Sequence, residues 1–262
     1  ASQSYMNIYQ NRKEERSRIT EFWKYTVPLT VRRHHGVLLF CAALFITFFI
    51  TGFYSSQHDE TFVREMLGDR YVNMTEENIE NGKPFGVYAE GGALLMWLGI
   101  MINNLFVAFG YFARGLLLCI PLIISLVTEG IRLGAFEQLF FAKGLGMQSV
   151  LTVFIHGTLE ISAIVIAGAA GIVLGKSWMF PGTGKRSHAF MRGAKDGVII
   201  LASLIPVFIV AAFFEGFITR YYTMPWWLSS SILLLSAAYI AWYYIIYPVQ
   251  LHRRLQANRK TV

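Results

Sequence analysis

Residues 154–175 read FIHGTLEISAIVIAGAAGIVLG. The second half is as apolar as lipid requires, while the first half sets His156, Thr158, Glu160 and Ser162 into the same run. An ionisable side chain at the bilayer centre costs about 2.5–3.5 kcal/mol on insertion scales, so such groups face protein or water. On a helix His156 and Glu160 are one turn apart and share a face. That face continues through Ala163, Ala167, Gly171 and Gly175, small residues at every fourth position. Such a stripe lets a second helix approach backbone to backbone. The stretch therefore reads as a membrane helix whose polar and small residues point into a bundle.

The rest of the chain agrees. Runs 36–54, 91–113, 161–175, 197–214 and 221–251 carry no Asp, Glu, Lys or Arg, and mean hydropathy is +0.46. A helix crossing a bilayer needs about 20 mostly apolar residues. The runs do not alternate as barrel strands do. The fold class is thus all-α, a polytopic membrane bundle of about six helices with an N-terminal interfacial helix. Expected spans are 36–54, 91–109, 111–128, 148–174, 197–219 and 226–247. The second and third are split at Phe109-Gly110-Tyr111, with a re-entrant pair over 91–128 as the alternative. The fifth is bent at Pro206.

Between the spans the chain divides by charge. Residues 1–35 form a basic segment ending in FWKYTVPLTVRRHH, where Ile19, Phe22, Trp23, Val27 and Leu29 among Lys24, Arg32 and Arg33 suit the membrane interface. The transmembrane domain occupies 36–250, with an outer loop 55–90 that holds eight of the sixteen acidic residues, and 251–262 form a basic tail. Within the loop, Thr75 of MTEENIENG reads as a helix start and Gly82-Lys83-Pro84 as a turn. EGIRLGAFEQLFFAKGLG (129–146) reads as amphipathic and interfacial. The first apolar run begins only at Gly36, so no cleavable signal peptide is expected here. The chain opens on Ala1, not Met, so residues upstream are allowed for. Cys41 and Cys119 lie in apolar runs as packing thiols.

Six spans put both termini on one side. Seventeen of the 23 Lys and Arg then fall on the side of the termini and six on the other, which orients the termini toward the cytoplasm. Tyr221, Tyr222, Trp226 and Trp227 belong to the outer aromatic belt, and Trp23, Trp178 and Tyr247 to the inner one. The net charge of +7 follows from this topology and from contact with anionic lipid, with no need of nucleic acid.

A helical rise of about 1.5 Å per residue places His156 roughly 12 Å and Glu160 about 18 Å below the outer end of their span. Glu215, in FFEGF of the fifth span, and Asn103-Asn104, in the second, come to similar depths, and Glu129 is expected to top the third. These residues form a candidate intramembrane polar cluster. His156, Glu160 and Glu215 supply the ligand types of a divalent metal such as zinc. The HxxxE spacing lacks the general base of HExxH, and no P-loop, Ser/His/Asp order or Cys/His zinc pattern is present.

The run Ile155-His156-Gly157-Thr158-Leu159-Glu160, followed by Ile166-Ala167-Gly168-Ala169-Ala170-Gly171, resembles the stage II sporulation protein M family of prokaryotic integral membrane proteins. Asn103-Asn104, Ala211-Ala212-Phe213-Phe214-Glu215-Gly216, the FWKYTVPLTVRRHH entry and the FVREMLGDRYVNMTEENI loop resemble it as well, in the family's order. The resemblance implies a bacterial inner-membrane protein working with other envelope proteins. The family's namesake acts with peptidoglycan-degrading partners during engulfment, and relatives neighbour MoxR-type ATPases. It attaches no reaction to the chain.

Two readings remain open at the level of sequence. One is a scaffold or assembly factor, compatible with a homo-oligomer, using its loop and basic faces to hold envelope partners. In it, His156 and Glu160 are a structural hydrogen-bonded pair and the asparagines glue helices. The other is an intramembrane metal or proton site centred on His156, Glu160 and Glu215, in a hydrolase or an ion pathway. The topology has its own check: a cysteine placed at Asn78 should react with an impermeant thiol reagent from outside intact cells, and one placed at Thr183 should not. The opposite labelling would invert the orientation.

Overall fold

A computed structural model describes residues 18–85, 93–219 and 224–260. Among these every regular element is helical. Residues 1–17, Glu90, and Arg220, Tyr221 and Tyr222 of the outer belt lie outside the described residues.

The chain enters through a π-turn, Phe22–Thr26, and a short helix α1, Val27–Arg33. Then come α2 (His35–His58), α3 (Glu60–Leu67), α4 (Asp69–Glu80), α5 (Ala93–Arg114), α6 (Ile120–Ala142) and α7 (Gly146–Met179). After these, α8 (Arg186–Ala202) breaks at Ser203-Leu204 and restarts as α9 (Ile205–Phe213), with Pro206 in the first turn, where its missing N–H costs no hydrogen bond. α9 runs into a π-turn, Phe214–Thr219. Finally α10 (Trp226–Ala241) passes through a π-turn at Trp242–Ile246 into α11 (Tyr247–Lys260). Five stretches are long and apolar enough to cross a membrane: His35–His58, Ala93–Arg114, Gly146–Met179, Arg186–Thr219 and Trp226–Asn258. α6 is of similar length, but with Glu129, Arg132 and Glu137 along it, it is not one of the five.

α7 is the hub. It touches α2, α5, α6, α8, α9 and α10, and Ala163, Ala167 and Ala170 are fully enclosed. The expected small-residue stripe makes the close contacts. A methyl group on Gly171 would lie 2.6 Å from Leu122 Cδ1 and 2.7 Å from the Tyr111 carbonyl oxygen, and one on Gly175 would meet the Gly115 backbone. α2 and α6 pack parallel in the same manner: a methyl on Gly130 would meet the carbonyl of Phe45, and one on Gly134 that of Phe49.

The structure corrects several boundaries. α5 continues through Phe109-Gly110-Tyr111 to Arg114, and the turn falls at 115–119. Gly110 faces open space, where a glycine weakens a helix by about 1 kcal/mol without ending it. The reversal is made instead by Leu118 and Cys119 in the left-handed region (φ 56° and 60°), followed by Pro121 at the start of α6. The segment 129–146 is no separate interfacial helix. Most of it continues α6, because Gly130 and Gly134 seat it against α2 and bury Glu137 and Gln138. Glu129 accordingly lies mid-helix and does not top a span. Thr75 lies inside α4, where its hydroxyl bonds the Tyr71 carbonyl (2.9 Å), and α4 starts after Gly68 (φ 86°). The tail extends as helix α11 to Lys260.

The acidic loop is thus a helical hairpin seated on the end of α6. Arg64 donates to Asn73 Oδ1 (2.6 Å) and Glu76 Oε2 (3.1 Å), and Lys143 Nζ lies 2.8 Å from Glu76 Oε1. The Lys143 hydrogen bond, aided by the Arg64 charge, holds the Glu76 carboxyl below its ordinary range. Val63 and Val72 close over Leu139, and Phe85 stacks on Phe140.

At the opposite, basic end, Asp196 of α8 receives Arg33 Nη1 at 2.7 and 3.0 Å and lies 2.9 Å from His34 Nε2. The entry π-turn hangs on the last helix by two hydroxyls: Tyr243 donates to the Trp23 carbonyl and Tyr247 to that of Lys24, both at 2.9 Å.

The hub contact is open to test. Gly171→Leu should lower the melting temperature of the detergent-solubilised protein by an amount corresponding to about 1–3 kcal/mol, the usual cost of overpacking. Ile172→Leu, one position around the helix, should change it far less. Equal tolerance at both positions would mean that this face of α7 can part from α5 and α6.

Candidate functional site

Three helices carry polar side chains to one point in the bundle. α7 supplies His156, 4% exposed, and Glu160 one turn further along the same face. α9 supplies Glu215 and Thr219 from its terminal π-turn. α5 supplies Asn104. A ligand atom from each of His156, Glu160 and Glu215 lies within 4.8 Å of the other two.

The π-turn matters to this geometry. Widening the helix by one residue per turn swings side chains around the axis, and such turns recur at functional sites. Here Glu215 comes against Glu160 while Thr219 comes against His156. The Thr219 hydroxyl donates to the Phe214 carbonyl (3.2 Å), so its oxygen accepts from His156 Nδ1 at 3.0 Å. In that tautomer the ring proton is on Nδ1 and the lone pair on Nε2, the arrangement in which a histidine ligates a metal. Asn104 Nδ2 donates to Glu160 Oε1 and orients that carboxyl. The Glu160 and Glu215 carboxyls lie close enough to share a hydrogen bond once one of them holds a proton. Two carboxylates side by side in an apolar bundle repel each other unless a proton or a cation lies between them.

A metal fits this donor set. Zinc binds one imidazole nitrogen and two carboxylate oxygens at about 2.0–2.2 Å, and a fourth, open position is the pattern of three-ligand sites. The three ligand atoms lie within 4.8 Å of one another, wider than the separations of a tetrahedron at those bond lengths. The hydrogen bonds from Thr219 and Asn104 play the orienting part that supporting residues play around metal ligands.

Other expected members fall elsewhere. Asn103 is exposed on α5, with its amide 3.5 Å from Asn104 Oδ1. Glu129 pairs with Arg132 at 3.4 Å on α6. Thr219 was not singled out by sequence, although its spacing of four from Glu215 was the available signal. Nor was Glu137: it is 2% exposed, Ser149 Oγ lies 3.3 Å from one oxygen, and the other has no partner among the described residues. Beside the site an apolar cavity of about 370 Å³ runs between α9 and α10, with Leu159 and Phe214, the neighbours of Glu160 and Glu215, in its wall.

An all-helical bundle with this many apolar passes and a polar centre buried among them defines an integral membrane protein. More narrowly, the chain belongs to the stage II sporulation protein M family, whose model matches residues 41–220, from within α2 to the residue after the Thr219 π-turn. Comparison with curated proteins and with solved structures gave no match.

Removing the Thr219 hydroxyl strands the His156 N–H in the core. Thr219→Val should therefore destabilise the protein by about 1–3 kcal/mol, and Thr219→Ser should restore most of that. Thermal unfolding of the two variants beside wild type measures it; equal melting temperatures for all three would show that the hydroxyl does not hold the ring.

Proposed function

We propose that this membrane protein binds a divalent cation, with zinc the best match to its donors, inside the bundle through His156, Glu160 and Glu215. The observation that carries the reading is the convergence of one imidazole and two carboxyls, from two helices, at a point where neither carboxylate has a lysine or arginine beside it among the described hydrogen bonds and ion pairs. In apolar surroundings that pair needs a positive charge, and a cation supplies it while satisfying all three groups together. Asn104 and Thr219 orient the ligands. The basic end faces the cytoplasm of a bacterial inner membrane in this reading, and the acidic hairpin faces outward.

A scaffold or assembly role is the second reading. It is favoured by the α3–α4 hairpin, which presents Glu60, Glu65, Asp69, Glu77 and Glu80 to solvent, a surface for a basic envelope partner. In that role the polar centre need be no more than a hydrogen-bonded lock between α5, α7 and α9.

Glu160→Gln separates the two. It keeps the shape and the Asn104 contact and removes the charge. Under the cation reading, purified wild type binds about one zinc per chain, and Glu160→Gln weakens that binding by more than ~100-fold, beyond the effect of losing a supporting residue. Chelation then lowers the melting temperature of wild type and leaves that of Glu160→Gln unchanged. Metal content by mass spectrometry with thermal unfolding reads both. Equal metal binding by the two proteins, or none by either, would leave the structural lock and the scaffold reading.

A further inference from the structure

At the basic end, α1 and α11 enclose a groove of about 520 Å³ lined by Leu29, Arg32, Arg33, His252, Leu255 and Gln256. Its polar lining is two guanidiniums, an imidazole and an amide, without a carboxylate. Asp196, the nearest acid on the elements packed against α1, is already taken by Arg33 and His34. Arg32 places Nη1 3.4 Å from His35 Nδ1, and its Nε has no acceptor among the described residues. Gln256 Nε2 lies 3.0 Å from His252 Nε2, which ties two lining residues into one wall. Arg253 and Arg254 stand exposed on the same turn of α11. With Arg33 paired to Asp196, the groove keeps the charge of Arg32 uncompensated beside the His252 imidazole, and it suits an anion with several acceptor oxygens.

Its position narrows the anion. The charge-free run of α2 begins at Gly36, three residues beyond Arg33, and on α11 the aromatic Tyr247 precedes His252 by five residues. The groove thus opens where polar headgroups meet acyl chains, and Leu29 and Leu255 offer apolar walls beside the cations. A free inorganic anion would use only the cations. A phospholipid uses both. We propose that this groove binds the phosphodiester headgroup of an anionic phospholipid, with Arg32 and His252 on the phosphate oxygens and the first carbons of the chains against Leu29 and Leu255. Basic pockets between helices on one side of a membrane bind anionic headgroups in this way. This site is separate from the His156 centre and does not depend on a cation there.

The test uses the full chain in nanodiscs of phosphatidylcholine with increasing phosphatidylglycerol, reading the melting temperature against lipid fraction. Arg32→Gln should raise the phosphatidylglycerol fraction needed for half the effect about fivefold, the worth of one cation near an anionic surface. Leu255→Trp fills the groove without changing charge and should abolish the lipid dependence. Arg192→Gln removes an exposed cation from α8 at the same end and should leave the dependence as in wild type. Arg192→Gln acting as strongly as Arg32→Gln would mean diffuse attraction and overturn the site. So would a wild-type response in Leu255→Trp, or a melting temperature indifferent to phosphatidylglycerol. Inorganic phosphate that stabilises the phosphatidylcholine sample equally well would overturn the lipid assignment.

Discussion

Everything in this bundle depends on how closely α5 and α6 can approach α7. With a hydrogen as side chain at Gly171 and Gly175, α7 accepts the carbonyls of Tyr111 and Phe112 and the turn at Gly115 directly against its backbone. In lipid there is no hydrophobic drive to hold helices together, so dense van der Waals contact of this kind has to do it. The same face carries Glu160 and His156 about three and four turns above Gly171. The register that seats the glycines therefore also sets the position of the polar centre.

The centre uses a second constraint. A buried histidine and two carboxyls are tolerated in hydrocarbon only if each finds a partner. α9 provides one of the carboxyls and the histidine's partner from a single widened turn, and α5 provides the amide that orients Glu160. The cost of the polar groups and the specificity of the helix arrangement are then one matter: a slip of any of the three helices by one residue would leave a buried charge alone. That favours one packing over its neighbours.

Much of this was legible in the sequence. Charge-free runs gave the class and most spans, since lipid forbids isolated charge. The steps of three and four residues from His156 to Gly175 marked the contact face because a helix repeats about every 3.6 residues. Depth counted in residues brought Asn103 and Asn104 to the level of Glu160 and Glu215 near that of His156. What misled was local reading where tertiary contact decides. Gly110 looks like a break, yet glycine only weakens a helix, and the turn at Leu118-Cys119 has no sequence signature beyond Pro121. The polar residues of 129–142 look interfacial because Glu129, Arg132 and Glu137 suggest water; their glycines, read as contacts, point instead to α2. Thr75 looks like a cap, yet it lies inside a helix of a hairpin that Glu76 ties to Arg64 and Lys143 and that Val63 and Val72 pack onto Leu139. Asn103 and Asn104 are indistinguishable in sequence, and a rotation of one position sends one inward and the other outward.

The tyrosine hydroxyls that suspend the entry segment from α11 bear on the order of assembly. Trp23 and Lys24 are made early and Tyr243 and Tyr247 near the end, so the carbonyls of the first pair have no acceptor role to fill until the last helix is in the bilayer. During synthesis the entry segment must wait at the membrane surface, held by its own tryptophan and basic residues. Its docking closes the bundle like a latch, and a chain that has lost its final helix would keep the Arg33 and His34 contacts to Asp196 but lose both tyrosine tethers.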